Sequence, residues 1–496
     1  MSPNLSRLID AFAGLRVLVI GDAMLDSYLE GTASGLSREA PVPVVALSRR
    51  TDVPGGAANV AVNLRALGAR VTLLGATGDD PEAGLLRRAL DRYGVGSDYL
   101  LTCPARRTIA KQRVVASSQV LVRFDQGGPQ PLAAAAEGEL IDRLGSLFAA
   151  CDAVIVSDYA YGVMTPPVVR ALARFQRASP RLLAADARRL VAYRDAGLTV
   201  VKPNYHEATE LLGERAGVDG AARADWIGAR GQRLLDLTGA RIAAITLDAD
   251  GALVLERGST PYRTYARRTR VPQPAGAGDT YLGAFALALA AGADTPAAAE
   301  VAAAAAGIAV VKPGTAACSA EELRAAISAD GKYARDLGLL LGRLDLYRQE
   351  GKRIVLTNGC FDILHRGHVT YLSRAKALGD VLVVGVNGDA GVRRLKGPTR
   401  PINPLEDRAQ VLAALSCVDH LVAFDEDTPV RLVRAIRPDV FVKGGDYTRE
   451  KLPEAPVVEE LGGVVHILPY LQDRSTSGII EQIKAESLRE RAVGER

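Results

Sequence analysis

Short, mostly apolar runs of three to six residues recur along this chain, alternating with stretches of helical periodicity. The first is Arg16-Val17-Leu18-Val19-Ile20, and comparable runs lie at 70–74, 153–157, 181–185, 199–201 and 242–247. Helical patterns at 57–67, 166–178 and 205–212 fall between them. Strands apolar on both faces are buried on both sides, and strand–helix alternation argues a doubly wound, mostly parallel sheet. Two segments break this rhythm. Residues 28–47 and 108–124 alternate with period two, which predicts antiparallel strands outside the main sheet, a small β lid over a cleft. The first α/β unit is expected to occupy residues 1–327. A charged, leucine-rich stretch at 328–352 reads as a connecting helix. A second, smaller α/β unit follows at 353–496, with strands at 354–356, 380–386, 421–424, 440–443 and 464–468.

At 496 residues the chain is too long for one ordinary core, which agrees with two units. Lys and Arg total 61 against 57 Asp and Glu, without a polybasic block, so there is no electrostatic footprint for nucleic acid or anionic lipid. The longest uncharged apolar stretch, 280–293, is shorter than the roughly 20 residues of a membrane helix, and the start lacks the pattern of a signal peptide. Five scattered cysteines without CxxC spacing argue against structural zinc or a disulfide framework. A soluble cytoplasmic protein acting on small molecules is expected.

Three turns carry chemistry. Gly55-Gly56-Ala57-Ala58-Asn59 opens a helix, where glycines permit close helix packing or the approach of a ligand. Gly276-Ala277-Gly278-Asp279 opens another, with backbone N–H groups able to hold a transferring phosphoryl group and an Asp placed to take a proton. Asn358-Gly359-Cys360-Phe361-Asp362-Ile363-Leu364-His365-Arg366-Gly367-His368 joins a strand to a third helix, and its two imidazoles are placed to grip one phosphate through charge-assisted hydrogen bonds.

Residues 55–69 (GGAANVAVNLRALGA) and 276–285 (GAGDTYLGAF) resemble the two signatures of the ribokinase-like (PfkB) sugar kinases. The resemblance implies a ribokinase-like fold with Asp279 as catalytic base and Gly276, Ala277 and Gly278 as the anion hole. It implies that Asn204 and Glu207 arrange Mg²⁺ and its waters around the ATP phosphates. Asp22, Asp26, Gly56 and Asn59 would hold sugar hydroxyls, and Lys111, Arg113 and Arg123 on the lid would meet a second phosphate. A homodimer through this domain is implied as well. Gln273-Pro274-Ala275 replaces the family's acidic and hydroxyl residues and puts monovalent-cation activation in doubt. Tyr161 stands where close relatives carry Lys, and Ala187-Arg188 replaces Pro-Lys.

The H-x-G-H turn, with Lys396-Gly397-Pro398-Thr399-Arg400, Val442-Lys443-Gly444-Gly445 and Arg474-Ser475-Thr476-Ser477, resembles the cytidylyltransferase-like nucleotidyltransferases, a Rossmann-like fold. By that resemblance His365 and His368 stabilise the α-phosphate, Lys396 and Arg400 hold the sugar phosphate or pyrophosphate, and Ser475, Thr476 and Ser477 hold the β- and γ-phosphates. Asn358, Phe361, Asn387, Asp389 and Lys443 would line the nucleotide. The two halves in this order resemble the family of bifunctional heptose 7-phosphate kinase/heptose 1-phosphate adenylyltransferases, which implies ATP as substrate of both halves and an ADP-sugar for heptose-containing glycans. Alternatives are a kinase for another sugar, or a first domain serving only dimerisation or sensing; for the second half the alternative is a glycerol-phosphate cytidylyltransferase.

Overall fold

A computed structural model of the chain describes residues 5–117, 119–214, 222–266, 275–312, 316–327, 332–445 and 448–469. It divides into two compact units, Met1–Arg324 and Ala325–Arg496.

The first unit contains β1 (Arg16–Gly21), β2 (Ala23–Leu36), β3 (Pro43–Gly56), β4 (Arg70–Thr77), β5 (Leu100–Thr102), β6 (Ile109–Ala116) and β7 (Gln119–Gln126). It continues with β8 (Ala153–Asp158), β9 (Leu182–Ala187), β10 (Val200–Val201), β11 (Ile242–Thr246), β12 (Ala252–Glu256) and β13 (Tyr262–Thr264). Nine strands form one sheet in the order β13-β12-β11-β10-β9-β8-β1-β4-β5. From β5 to β11 the pairings are parallel, as the alternation predicts. The β11–β12–β13 edge is antiparallel and was not expected from the sequence. Leu18, Ile20, Val154, Val156, Leu183 and Ile245 are all buried in the core, which is why β1, β8, β9 and β11 read as unbroken apolar runs.

The lid is a four-stranded sheet, β3-β2-β6-β7. Its two hairpins are antiparallel as expected, but β2 and β6 join them in parallel, Asp26 beside Lys111 and Tyr28 beside Arg113. The hairpin also reaches further than its period-two signal: β2 starts at Ala23 and β3 ends at Gly56, so the lid strands run directly into the main sheet and into the Ala57–Ala66 helix.

The second unit is a six-stranded parallel sheet. Its strands are β14 (Tyr333–Ala334), β15 (Ile354–Gly359), β16 (Val381–Asn387), β17 (His420–Phe424), β18 (Val440–Gly444) and β19 (Val464–Leu468), in the order β14-β17-β16-β15-β18-β19. The stretch at 328–352 is helical over Leu337–Gln349, but it is part of this unit and not a free connector. Tyr333 and Ala334 pair with β17, and Leu340 and Leu344 are buried in one core with Ile354, Val383 and Phe441. Leu340 and Leu344 mark the helix's buried face, while Leu339 and Leu346 are exposed among charged residues, which makes the stretch read as a linker.

Candidate active sites

Glycine at 276 is required by its backbone. Its φ of +81° is left-handed, and it caps the Ala277–Ala290 helix without a side-chain hydrogen bond. The first intrahelical bond runs from the Thr280 N–H to the Gly276 carbonyl (3.0 Å), so the N–H groups of the preceding turn have no intrahelical partner. Asp279 sits in that turn, 6 % exposed. Asn59 Nδ2 donates to its Oδ2 at 2.6 Å and the Tyr159 hydroxyl to its Oδ1 at 3.3 Å. Asn63, one turn along from Asn59, donates to Asn59 Oδ1 at 3.2 Å and accepts from the Thr280 hydroxyl at 2.6 Å, tying the two helix starts together. Burial pushes the Asp279 carboxyl up to about 6 against the opposing pull of the Asn59 hydrogen bond; Asp186 adds to the rise and Lys202 opposes it.

Across the cleft, Lys202 is buried and pairs with Asp186 at 2.9 Å. Burial disfavours its charge, but Asp186 outweighs that and holds its pKa above the usual lysine range. Asn204 and Glu207 form a capping box on the Tyr205–Leu212 helix. Asn204 Oδ1 accepts from the Glu207 N–H and Glu207 Oε2 from the Asn204 N–H, both at 2.9 Å. Glu207 Oε1 accepts from Arg188 at 3.3 Å. Asp158, Tyr159, Asp186, Arg188, Lys202, Asn204, Glu207, Gly276, Gly278 and Asp279 thus line one cleft at the carboxyl ends of the parallel strands.

On the lid side, Arg113 pairs with Asp26 at 2.7 Å, and the exposed Arg123 pairs with Asp125 at 3.0 Å. Lys111 forms no ion pair among the described residues; its ammonium lies 5.4 Å and 5.6 Å from the ring centres of Tyr159 and Tyr161. Burial lowers its pKa.

In the second unit His365 caps the Arg366–Lys376 helix, its Nδ1 accepting the Gly367 N–H at 3.1 Å, which leaves the ring proton on Nε2. The His365 and His368 ring centres are 4.0 Å apart, and Phe361 meets His368 edge-on at 5.4 Å. Burial, then the neighbouring His365, pushes His368 down to about 4. His368 is therefore neutral at pH 7, and its Nδ1 is buried without a partner among the described residues. The charge-assisted grip expected of this pair needs the phosphate to be present. Lys443 reaches Asn358 Oδ1 at 2.8 Å. Asn387, 3 % exposed, accepts from the Cys360 thiol. Asp389 is held at 2.7 Å by Arg408, which is 1 % exposed and also donates to the Cys360 carbonyl.

The sequence comparisons divide at the same place. Residues 15–322 match the pfkB family carbohydrate kinases, and residues 356–484 match the Cytidylyltransferase-like family. The chain is 40% identical over 484 residues to the Bifunctional protein HldE of Hyphomonas neptunium, covering 97% of this chain and 99% of that one. It is 43% identical over 471 residues to that of Pseudomonas aeruginosa, covering 94% and 97%. This chain belongs to the HldE family. It is a sugar-phosphate kinase joined to a sugar 1-phosphate adenylyltransferase. Among solved structures, phosphofructokinase-2 from Escherichia coli in complex with substrates and products superposes with a TM-score of 0.52 at 19% identity, covering 63% of this chain and 97% of that one, a likeness of fold.

Within this HldE-family chain several sequence-predicted residues are also engaged by the protein itself. Asp22 is 0 % exposed, and its carboxylate accepts the N–H groups of Tyr159 (2.9 Å), Tyr161 (3.0 Å) and Val163 (3.2 Å). It holds the loop after β8. Gly56 has a φ of +54°, and a Cβ there would lie 2.5 Å from the Asp22 carbonyl oxygen. Close backbone approach accounts for this glycine. Asn59 is 3 % exposed and orients Asp279. Arg400 is engaged by buried Asp362, which also accepts the Ile402 (2.7 Å) and Asn403 (3.0 Å) N–H groups, so its guanidinium shapes the loop that carries it. Lys396 is exposed. Ser475, Thr476 and Ser477, like Gln273 and Pro274, lie outside the described residues. Sequence reasoning missed Tyr159, Asp186 and Lys202. The run Ser157-Asp158-Tyr159 at the end of a strand, and Lys202 just before the N-x-x-E element, were the available signals.

Proposed function

We propose that the first unit transfers the γ-phosphoryl group of ATP to O1 of D-glycero-β-D-manno-heptose 7-phosphate, and that the second joins heptose 1-phosphate to AMP from ATP. In the first reaction the sugar O1 attacks the γ-phosphorus, its proton passes to Asp279, and the bond to the leaving ADP breaks. A carboxyl whose pKa lies near 6 is ionised at pH 7 yet more basic than a free aspartate, which suits it to that proton. The first-turn N–H groups at Gly276, Ala277 and Gly278 face the charge that develops on the phosphoryl oxygens. Asp26, beside Lys111 in the lid, holds sugar hydroxyls, and Lys111 meets the 7-phosphate, since Arg113 and Arg123 have carboxylate partners.

Mg²⁺ fits the donor chemistry of the first cleft. Glu207 Oε1 is a hard oxygen held only by an exposed Arg188, and no group of three or more His, Cys, Asp or Glu converges among the described residues. Such a set suits an ion carried mainly by phosphates and water, with Glu207 contacting it through water. When bound, the ion neutralises phosphate charge.

In the second reaction the sugar phosphate attacks the α-phosphorus of ATP in line and pyrophosphate leaves. His365 and His368 donate Nε2–H groups to the α-phosphate, with Asn358, Lys443, Asn387 and Asp389 around the nucleotide and Lys396 beside the leaving group. The product is ADP-heptose, and a separate phosphatase removes the 7-phosphate between the two steps.

We place the enzyme in the cytoplasm, where its five free cysteines stay reduced, as a homodimer through the lid. Val44, Leu47, Val120 and Val122 are 46 %, 57 %, 56 % and 52 % exposed on the lid strands, an apolar surface that a second lid would cover. What most supports the catalytic reading is the buried Asp279, held by two donors at a helix start beside free amides, in a chain alignable with HldE proteins over nearly its whole length. The test is mass spectrometry of the products from ATP and heptose 7-phosphate, with and without an added phosphatase. A bisphosphate without phosphatase and ADP-heptose with it are expected; neither product refutes the assignment.

A further inference from the structure

The first cleft has an uneven supply of positive charge. Four carboxylates line it (Asp158, Asp186, Glu207 and Asp279), against two cations, Lys202 and Arg188. ATP adds more negative charge. Lys202 is not available to answer it. Its ammonium is bound to Asp186 at 2.9 Å, its side chain is 6 % exposed, and it abuts Gly278, where an added Cβ would lie 3.2 Å from Nζ. Arg188 differs in each respect. Its backbone is fixed at the end of β9 by an N–H bond to the Asp158 carbonyl (3.0 Å), but its side chain is 60 % exposed and its one side-chain partner among the described residues is Glu207 Oε1 at 3.3 Å. Among the described residues it is the one cation lining the cleft with an exposed, loosely held head group.

We propose that Arg188 is a catalytic residue of the kinase reaction, its guanidinium leaving Glu207 to hold oxygens of the transferring phosphoryl group. An exposed ion pair contributes little, whereas a forked, charge-assisted contact to phosphate is among the stronger hydrogen-bonded pairs, so the exchange is downhill once ATP is bound. It also frees Glu207 Oε1 for the nucleotide-bound cation. No bond to Arg188 forms or breaks. The proton still goes from sugar O1 to Asp279 and the leaving group is still ADP, while Arg188 neutralises charge that grows as the phosphoryl group moves. This rests on the reading of the first unit as an ATP-dependent kinase.

The test uses the full chain with Arg188→Ala and Arg188→Lys. Arg188→Ala is expected to lower the kinase kcat about 100-fold, as removal of a single donor to a developing anion does. Guanidinium ion at a low, non-denaturing concentration restores part of that loss in Arg188→Ala, and Arg188→Lys retains an intermediate rate. Adenylyl transfer by the same preparation is unchanged. A second readout needs no sugar. The single tryptophan, Trp226, lies against the core of the first unit, so its fluorescence follows unfolding of that unit alone. ATP should shift the urea midpoint less in Arg188→Ala than in the unmodified chain, while adenosine shifts both equally. A kcat within about threefold of the unmodified chain overturns the proposal. So does a loss that guanidinium does not restore together with an unaltered ATP shift. If the unmodified chain leaves heptose 7-phosphate untouched but its ATP shift still depends on Arg188, the substrate assignment fails and the role of Arg188 stands.

Discussion

Replacing Asp279 by Asn should abolish the kinase reaction and, at the same time, stabilise the fold. The folded carboxyl titrates near 6 against an ordinary value of 3.8. About two units at roughly 1.4 kcal/mol each means that holding this group ionised costs the folded state about 3 kcal/mol at any pH above 6. The sign follows from proton counts: between about pH 4 and pH 6 the folded chain binds a proton that the unfolded chain does not, so stability falls as pH rises through that window. An amide removes the ionisation cost but offers one acceptor where the carboxylate takes hydrogen bonds from Asn59 and Tyr159, losing about 1 kcal/mol. The variant should therefore be more stable by about 2 kcal/mol at pH 8, a rise of roughly 0.5–1 M in the urea midpoint of Trp226 fluorescence. At pH 4, where the native carboxyl is already neutral, the advantage should vanish or reverse. Phosphorylation of heptose 7-phosphate should fall by about 10³-fold or more, with adenylyl transfer untouched. A variant less stable than the unmodified chain at pH 8, or an advantage independent of pH, would refute the claim that burial strains this carboxylate.

Kinase kcat/KM for the unmodified chain should rise with pH through about 6 and then level, because only the ionised Asp279 accepts the proton; initial rates from pH 5 to 8 check this. His365→Ala and His368→Ala should each lower adenylyl transfer by roughly 10²–10³-fold and leave phosphorylation intact, read by separate product assays on one preparation. Leu47→Lys combined with Val122→Lys should convert the proposed dimer to monomer in light scattering, with the Trp226 urea midpoint little changed; a dimer that persists in this variant refutes the lid interface.

The layered α/β architecture was legible because parallel strands buried on both faces leave unbroken apolar runs, and both helix starts were legible because their glycines and histidines are contiguous. What the sequence did not disclose depends on residues far apart in it. Asn59 and Asp279 are 220 positions apart, and nothing near either one says that they touch. Asp22 follows a strand, and nothing near it in the sequence shows that it accepts the N–H groups of a loop 137 to 141 positions on. Lys202 and Asp186 sit on neighbouring strand ends and compensate each other's burial, a pairing set by strand order and not by spacing. Arg400 is held by Asp362 through the same kind of long-range contact. Lone charged residues in loops carry no mark that separates a ligand contact from a buried brace.

The two sites also differ in a way that the chemistry of their attacking groups explains. The first reaction begins with an alcohol, which must lose a proton as it attacks, and its cleft holds a carboxylate made more basic by burial. The second begins with a phosphate, already an anion at neutral pH, so a base adds nothing there. In keeping with this, the turn that carries His365 and His368 offers no free carboxylate: Asp362, the nearest in sequence, is enclosed by Arg400, Ile402 and Asn403. The His368 imidazole is neutral before the nucleotide arrives, its pKa having been lowered to about 4. An incoming triphosphate raises that pKa by its own charge, so His368 adds its positive charge to that of Lys443 and Lys396 only when there is a phosphate to hold.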